Sequence, residues 1–206
     1  MFSEYWRILS NFLFRLSVMH TFKQQNVSCW KILISKYTKL LRCDVRMAKL
    51  SSEQEAEYFG RSYKAVDGLW FVKTEEKYGF NSALDVDNQV WSVMPKIQAR
   101  MIKQFLGLGD GLDSLFESLV TKLELEGFKF TTEWTAKGFR IVIEDCPWHN
   151  LMIKSGREHL AGKVGKVICA TENRVWVSEF SDNINFELLS QKCCDSNHCT
   201  LDFTLQ

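Results

Sequence analysis

At Gly127 the apolar residues of this chain change from helical to strand spacing, and that change divides it into an all-helical part and a part that contains the strands. Before it, Tyr58, Phe59, Tyr63, Val66, Leu69, Trp70 and Val72, then Val86, Val90, Trp91, Met94, Ile97, Met101, Ile102 and Phe105, recur at helical spacing. The pattern predicts three helices, over 52–78, 81–106 and from after Gly111 to Gly127, closed by Gly79, Gly107 and Gly127 in turn. Pro95 falls inside the second, which must kink there or split into two. After Gly127 the period is 2: strands over 128–134 and 139–144 around a turn at Ala136-Lys137-Gly138 make a hairpin, which Pro147 ends. A helix over 164–180 and a second hairpin, 184–192 with 199–205, complete the chain. The fold class expected is α+β: N-terminal helices followed by a four-stranded antiparallel ββααββ unit.

With 206 residues, 46% of them hydrophobic, the chain is large enough to enclose a core of its own. Twenty-six Lys and Arg against 25 Asp and Glu leave a charge of +1, which supplies no general attraction to nucleic acid. The charge is unevenly placed. Residues 1–46 carry eight basic side chains against only Glu4 and Asp44, and Met47 opens a stretch that reads as a helix start, with Ser51 or Ser52 as N-cap and acids in the first turn. The expected organisation is therefore a basic extension over 1–46, a helical part over 47–126 and a Cys-rich α+β part over 127–206. Three origins suit the extension: an early start codon, a targeting presequence, or an amphipathic arm. Its apolar stretch, 12–19, is interrupted by Arg15 and too short to cross a bilayer, so no membrane span is expected.

Seven cysteines cannot all pair within one chain, and no secretory signal accompanies them, so a disulfide scaffold is not expected. Cys29 and Cys43 lie in the extension; Cys146, Cys169, Cys193, Cys194 and Cys199 lie in the last 61 residues. Cys146 follows the second strand, the Cys193–Cys194 doublet the third, and Cys199 opens the fourth. If strands two and three are neighbours, these loops share one rim of the sheet, within reach of Cys169. Four thiols, or three with His149 or His198, form a soft donor set suited to zinc, iron or an iron–sulfur cluster. The other reading is that cysteine, a frequently buried residue, only fills the core. Asp67, Glu75, Asp87 and Arg100 lie along the helical apolar stripes, where they either project into a pocket or sit solvated and paired on the surface.

The order Cys146-Pro147, Ile168-Cys169 with Glu172 three residues on, and Cys194-x4-Cys199 before Phe203 resembles the L-2-amino-thiazoline-4-carboxylic acid hydrolase family and a related uncharacterised family of anaerobes. More distantly it is similar to the 4-vinyl reductase domain. The likeness spans about 47–206 and is carried most by CPWHNLMIKSGREHL and by the Asp67-Gly68-Leu69-Trp70-Phe71 and Asp87-x3-Trp91 stretches. Glu172 stands where the hydrolases would have an aspartate. The resemblance implies a cytoplasmic protein with a Cys-lined site made of Cys146, Cys169, Glu172, Cys194 and Cys199. The function expected is hydrolysis of a cyclic C–N or C–S bond in a small sulfur- or nitrogen-containing carboxylic acid. In that reading Glu172 or His149 moves the proton, Arg157 and Trp148 hold the substrate, and Cys146, Cys169, Cys194 and Cys199 bind zinc or iron. The alternative is a metal- or cluster-binding sensor of a small molecule without catalysis. Either Cys193 or Cys194 faces the site, and no nucleic-acid partner is expected.

Overall fold

A computed structural model of the chain describes residues 49–194 and 196–206; the basic extension with Cys29 and Cys43 lies outside the described residues. Leu50–Gln206 form one compact unit. Its elements are α1 (Ser52–Tyr78), α2 (Phe80–Trp91), α3 (Met94–Leu106), α4 (Leu112–Glu126), β1 (Lys129–Trp134), β2 (Gly138–Asp145), α5 (Pro147–Lys154), α6 (Glu158–Ser178), β3 (Ile184–Ser190) and β4 (Cys199–Leu205). The architecture is α+β, with one four-stranded antiparallel sheet in the order β1-β2-β4-β3.

Local chemistry sets these boundaries. Ser51 caps α1 reciprocally with Gln54, its hydroxyl accepting the Gln54 N–H at 3.2 Å while the Gln54 side chain accepts the Ser51 N–H at 2.9 Å. The apolar run through Pro95 is two helices: α2 ends at Trp91, and Pro95 occupies the first turn of α3, where its missing N–H leaves no bond unmade. α3 and α4 close on Gly107 and Gly127 in left-handed conformation, with φ of 67° and 81°.

One face of the sheet is dry. Phe139, Ile141 and Ile143 of β2, Leu201 and Phe203 of β4, and Ile184 and Phe186 of β3 are all buried there against α4 and α6. Phe139 stacks on its cross-strand partner Phe203 with ring centroids 4.8 Å apart. Trp176 of α6 is fully buried and donates its indole N–H to Ser118 of α4 at 3.0 Å, so neither polar group is left unpaired. Ala99 and Ile102 of α3 join the same core. On the opposite face Arg140 pairs with Asp202 across the strands at 2.6 Å.

The neighbour of β2 is β4, not β3, which corrects the strand adjacency expected above. The chain makes a short hairpin of β3 and β4, and β4, hydrophobic at every inward position, takes the central place beside β2. β3 has polar or exposed side chains at alternate positions and lies at the edge. Cys199 is still brought beside the end of β2, because it pairs with Ile143, three residues before Cys146.

Candidate functional site

α1 and α2 are antiparallel neighbours, and residues repeating at helical spacing on each open a cleft between them of about 600 Å³. Tyr63, Asp67, Trp70 and Phe71 line one wall; Asp87, Val90 and Trp91 line the other. Trp91 forms the buried floor, and Trp70 stands at the mouth, 72% exposed. α2 is fixed to α6 by the Thr171 hydroxyl, which bonds the Asn88 side chain at 2.6 Å. α1 is tied by Lys64 to the Glu126 carbonyl at 2.8 Å and by an ion pair of Glu75 with Arg157.

The two acids of the cleft have no basic partner among the described residues. Burial pushes the Asp87 carboxyl up to about 7, helped by the charge of Asp67 and partly relieved by hydrogen bonding from the Trp91 side chain. Asp67 is raised for the same first reason, its loss of water. A carboxyl of this kind titrates between its unfolded value near 4 and its folded value near 7, and the native state is disfavoured progressively across that window. Asp87→Asn is therefore expected to match the wild type in thermal stability at pH 4 and to exceed it at pH 8. With solvent screening allowed for, the gain is about 1 kcal/mol, or 2–4 °C in Tm. Melting curves at the two pH values check this, and an unchanged difference between them would mean that Asp87 ionises as it does in water.

Behind Tyr63 the interior is charged. Lys122 of α4 is buried and lies 2.6 Å from Glu172 Oε1 of α6 and 3.7 Å from Glu126 Oε2. The two carboxylates hold its ammonium charged against a strong desolvation penalty. Trp148 donates its indole N–H to Glu126 at 3.2 Å, and its ring packs edge-on against both Tyr63 and Trp91, each with centroids 5.7 Å away. Trp148 thus stands behind the cleft wall. Burial, followed by the charges of Glu126, Glu172 and Asp67, pushes the Tyr63 hydroxyl upward, so the phenol stays protonated between the cleft and the buried acids. Gln98 donates to that hydroxyl at 3.4 Å.

The sulfurs lie on the other side of Glu172. Cys169 is one helical turn before it, and its thiol is pushed well up by burial and then by the Glu172 charge. Cys146, Cys193 and Cys199 lie close enough that their charges act on Cys169. Cys146 caps α5, accepting the His149 N–H at 3.5 Å; burial nevertheless pushes its thiol up to about 11. Cys199 accepts the Lys192 N–H at 3.2 Å, and Cys193 accepts from the Gln191 side chain at 3.0 Å. Both members of the doublet stand near other thiols, Cys193 near Cys146 and Cys169 and Cys194 near Cys199; Cys194 is exposed and borders a second cavity with Lys166 and Arg174. The five cysteines described are all free. No three His, Cys, Asp or Glu side chains among the described residues converge on a single metal position in this arrangement.

Two glycines account for the closeness of the sulfur-bearing turn to α6. A Cβ on Gly162 would lie 2.8 Å from the Cys193 carbonyl oxygen, and one on Gly165 would lie 2.4 Å from Gln191 Nε2. Gly162, Gly165 and Cys169 recur on one face of α6, a signal present in the sequence as Gly-x-x-Gly-x-x-x-Cys.

Of the other residues singled out by sequence, His149 touches one thiol, that of Cys146, through its backbone N–H. Arg157 pairs with Glu75 and places its guanidinium 5.8 Å from the centre of the Phe71 ring at one end of the cleft. Arg100 is drawn to Glu179 at 2.6 Å, away from any pocket wall. No described helix is long and apolar enough to cross a membrane.

Residues 48–204 match the model of a family of unknown function, DUF6125. The chain belongs to that family. Comparison of this DUF6125 member with curated proteins and with solved structures gave no match. The matched stretch includes the cleft, the buried acids and all five of the described cysteines.

Proposed function

We propose that this DUF6125 member is hydrolase-like, acting on a small sulfur- or nitrogen-containing carboxylic acid that enters through the α1–α2 cleft. The observation that carries the reading is the buried Lys122–Glu172 pair, 2.6 Å apart, which lies one helical turn from Cys169 and whose carboxylate charge acts on Tyr63 of the cleft wall. The likeness of the Cys146-Pro147, Ile168-Cys169 and Cys194-x4-Cys199 order to the thiazoline hydrolase family supports it. In the reaction, water adds across the C–N or C–S bond. Glu172 accepts a proton from the water and returns it to the departing nitrogen or sulfur, while Lys122 balances its charge. Arg157 at the end of the cleft is the cation that would meet the substrate carboxylate. Five free thiols agree with a reducing, cytoplasmic setting.

A second reading, a metal- or cluster-binding sensor without catalysis, is favoured by the thiols themselves. Cys146, Cys169 and Cys199, with Cys194 or its neighbour Cys193, are soft donors, and two of them, Cys146 and Cys199, already accept backbone N–H bonds of the kind that stabilise a bound thiolate. Zinc or iron held there would supply a Lewis acid or an electron-transfer centre, and its binding would expel the thiol protons.

Incubation of the full chain, purified without oxygen, with 2-aminothiazoline-4-carboxylate and analogues, following released thiol, tests the first reading. Glu172→Gln is expected to lower kcat at least 100-fold, read at a temperature where the variant, which also loses the ion pair with Lys122, is still fully folded. Equal turnover by this variant removes Glu172 from the chemistry. Metal analysis of the same preparations tests the second: a stoichiometric zinc or iron lost in Cys169→Ser, without turnover in the wild type, would favour the sensor.

A further inference from the structure

We infer that the α1–α2 cleft is a recognition site for a protonated amine or amidinium carried on an apolar body. The inference goes beyond the hydrolytic reading in naming what the cleft selects, and it stands whether or not hydrolysis follows. Three independent observations meet here. The cavity, about 600 Å³, has the size of a small-molecule site, and its walls are almost wholly apolar apart from the two carboxylates. Those carboxylates come from different helices, are largely removed from water and have no Lys or Arg partner among the described residues, an arrangement seldom kept without a compensating cation. Behind Tyr63, outside the lining of the cleft, two buried acceptors, Gln98 Oε1 and Glu126 Oε1, have no hydrogen-bond donor, and the charge of Glu126 acts on Tyr63 in the cleft wall, so the surroundings of the cleft are acceptor-rich.

The ring faces point the same way. Trp91 and Trp70, with Tyr63 and Phe71, supply aromatic surface from floor to mouth, and a cation is the one polar group that such faces attract. An anion between Asp67 and Asp87 would meet two carboxylates, so the carboxylate of the substrate proposed above has its place at the Arg157 end of the cleft. A neutral apolar ligand would strip their remaining water without replacing it.

The test uses three probes of one shape on the full chain: benzylamine (cationic at pH 7.5), benzyl alcohol and benzoate. Binding is read by tryptophan fluorescence and by calorimetry. Benzylammonium is expected to bind at least tenfold more tightly than either of the others. Asp67→Asn/Asp87→Asn should erase that preference while leaving the affinity for benzyl alcohol unchanged, which excludes a folding defect. The inference is overturned if benzylammonium shows no saturable binding below 10 mM, if benzoate binds as well, or if the double variant keeps the preference. Glu172→Gln, which disables the proposed chemistry, is expected to keep it, so a failure of catalysis and a failure of recognition give different results.

Discussion

Replacing Lys122 by methionine is expected to be the most damaging single change in the described chain, destabilising it by about 3–5 kcal/mol at neutral pH. Lys122 lies between Glu172 and Glu126, whose side chains are only 15% and 10% exposed, and its removal leaves two buried carboxylates facing each other. They can relieve the repulsion only by taking up protons. The sign follows: the loss should grow from pH 5 to pH 8, since protonation neutralises the pair at the acid end. Adding Glu172→Gln to the Lys122→Met variant removes one of the two charges and should recover a large part of the stability. Urea titrations of the single and double variants at both pH values measure this. A loss under 1 kcal/mol would mean that water reaches the carboxylates and that the charged interior behind Tyr63 is not sealed.

Gly138→Ala should damage the chain for a purely steric reason. A Cβ at this position would sit 1.9 Å from the Phe203 carbonyl oxygen, an atom of the β4 backbone that cannot swing aside. The start of β2 must separate from β4, and the Phe139–Phe203 stack that anchors the sheet goes with it. The expected loss is about 3 kcal/mol or more. Gly60→Ala is the matched control. Nothing lies within 4 Å of a Cβ there, the residue is inside α1, and alanine should stabilise the helix by up to about 1 kcal/mol. If both glycines respond alike to thermal denaturation, close approach of β2 to β4 is not the reason for Gly138.

The helices were largely legible in the sequence because their signals are local. Ser51 and Gly79 bound α1 through capping chemistry that needs no tertiary partner, and Pro95 forces the break between α2 and α3 wherever the segment lies. The strand order was not legible in the same way. Whether β3 or β4 sits beside β2 depends on which strand is better buried from both sides, and that is decided by the whole sheet. The sulfurs were found through their clustering along the chain. Where each member of the doublet lies depends on a close approach to α6, Cys194 Sγ against Gly162 and Cys193 Sγ against Gly165, that spacing does not reveal. Asp67 and Asp87 were visible as acids on apolar stripes, where a surface reading is the commoner one; what gives them chemical interest is the placement of α1 against α2. Tyr63 was legible only as a member of an apolar helical stripe, and Lys122 and Glu126 carried no signal, since a charged residue within a helix reads as solvated until its surroundings are known.

α1 has 27 residues and not one of them is fully buried. It is held by its contact with α2 and by a few polar ties, so it can detach while the sheet and its covering helices stay intact. Its amide protons therefore exchange through a local opening that empties the cleft, whereas those of β2 and β4 wait for global unfolding. A molecule held between α1 and α2 must slow the first set and leave the second nearly untouched. The ratio of the two exchange rates is accordingly a measure of occupancy that requires neither turnover nor knowledge of the natural ligand.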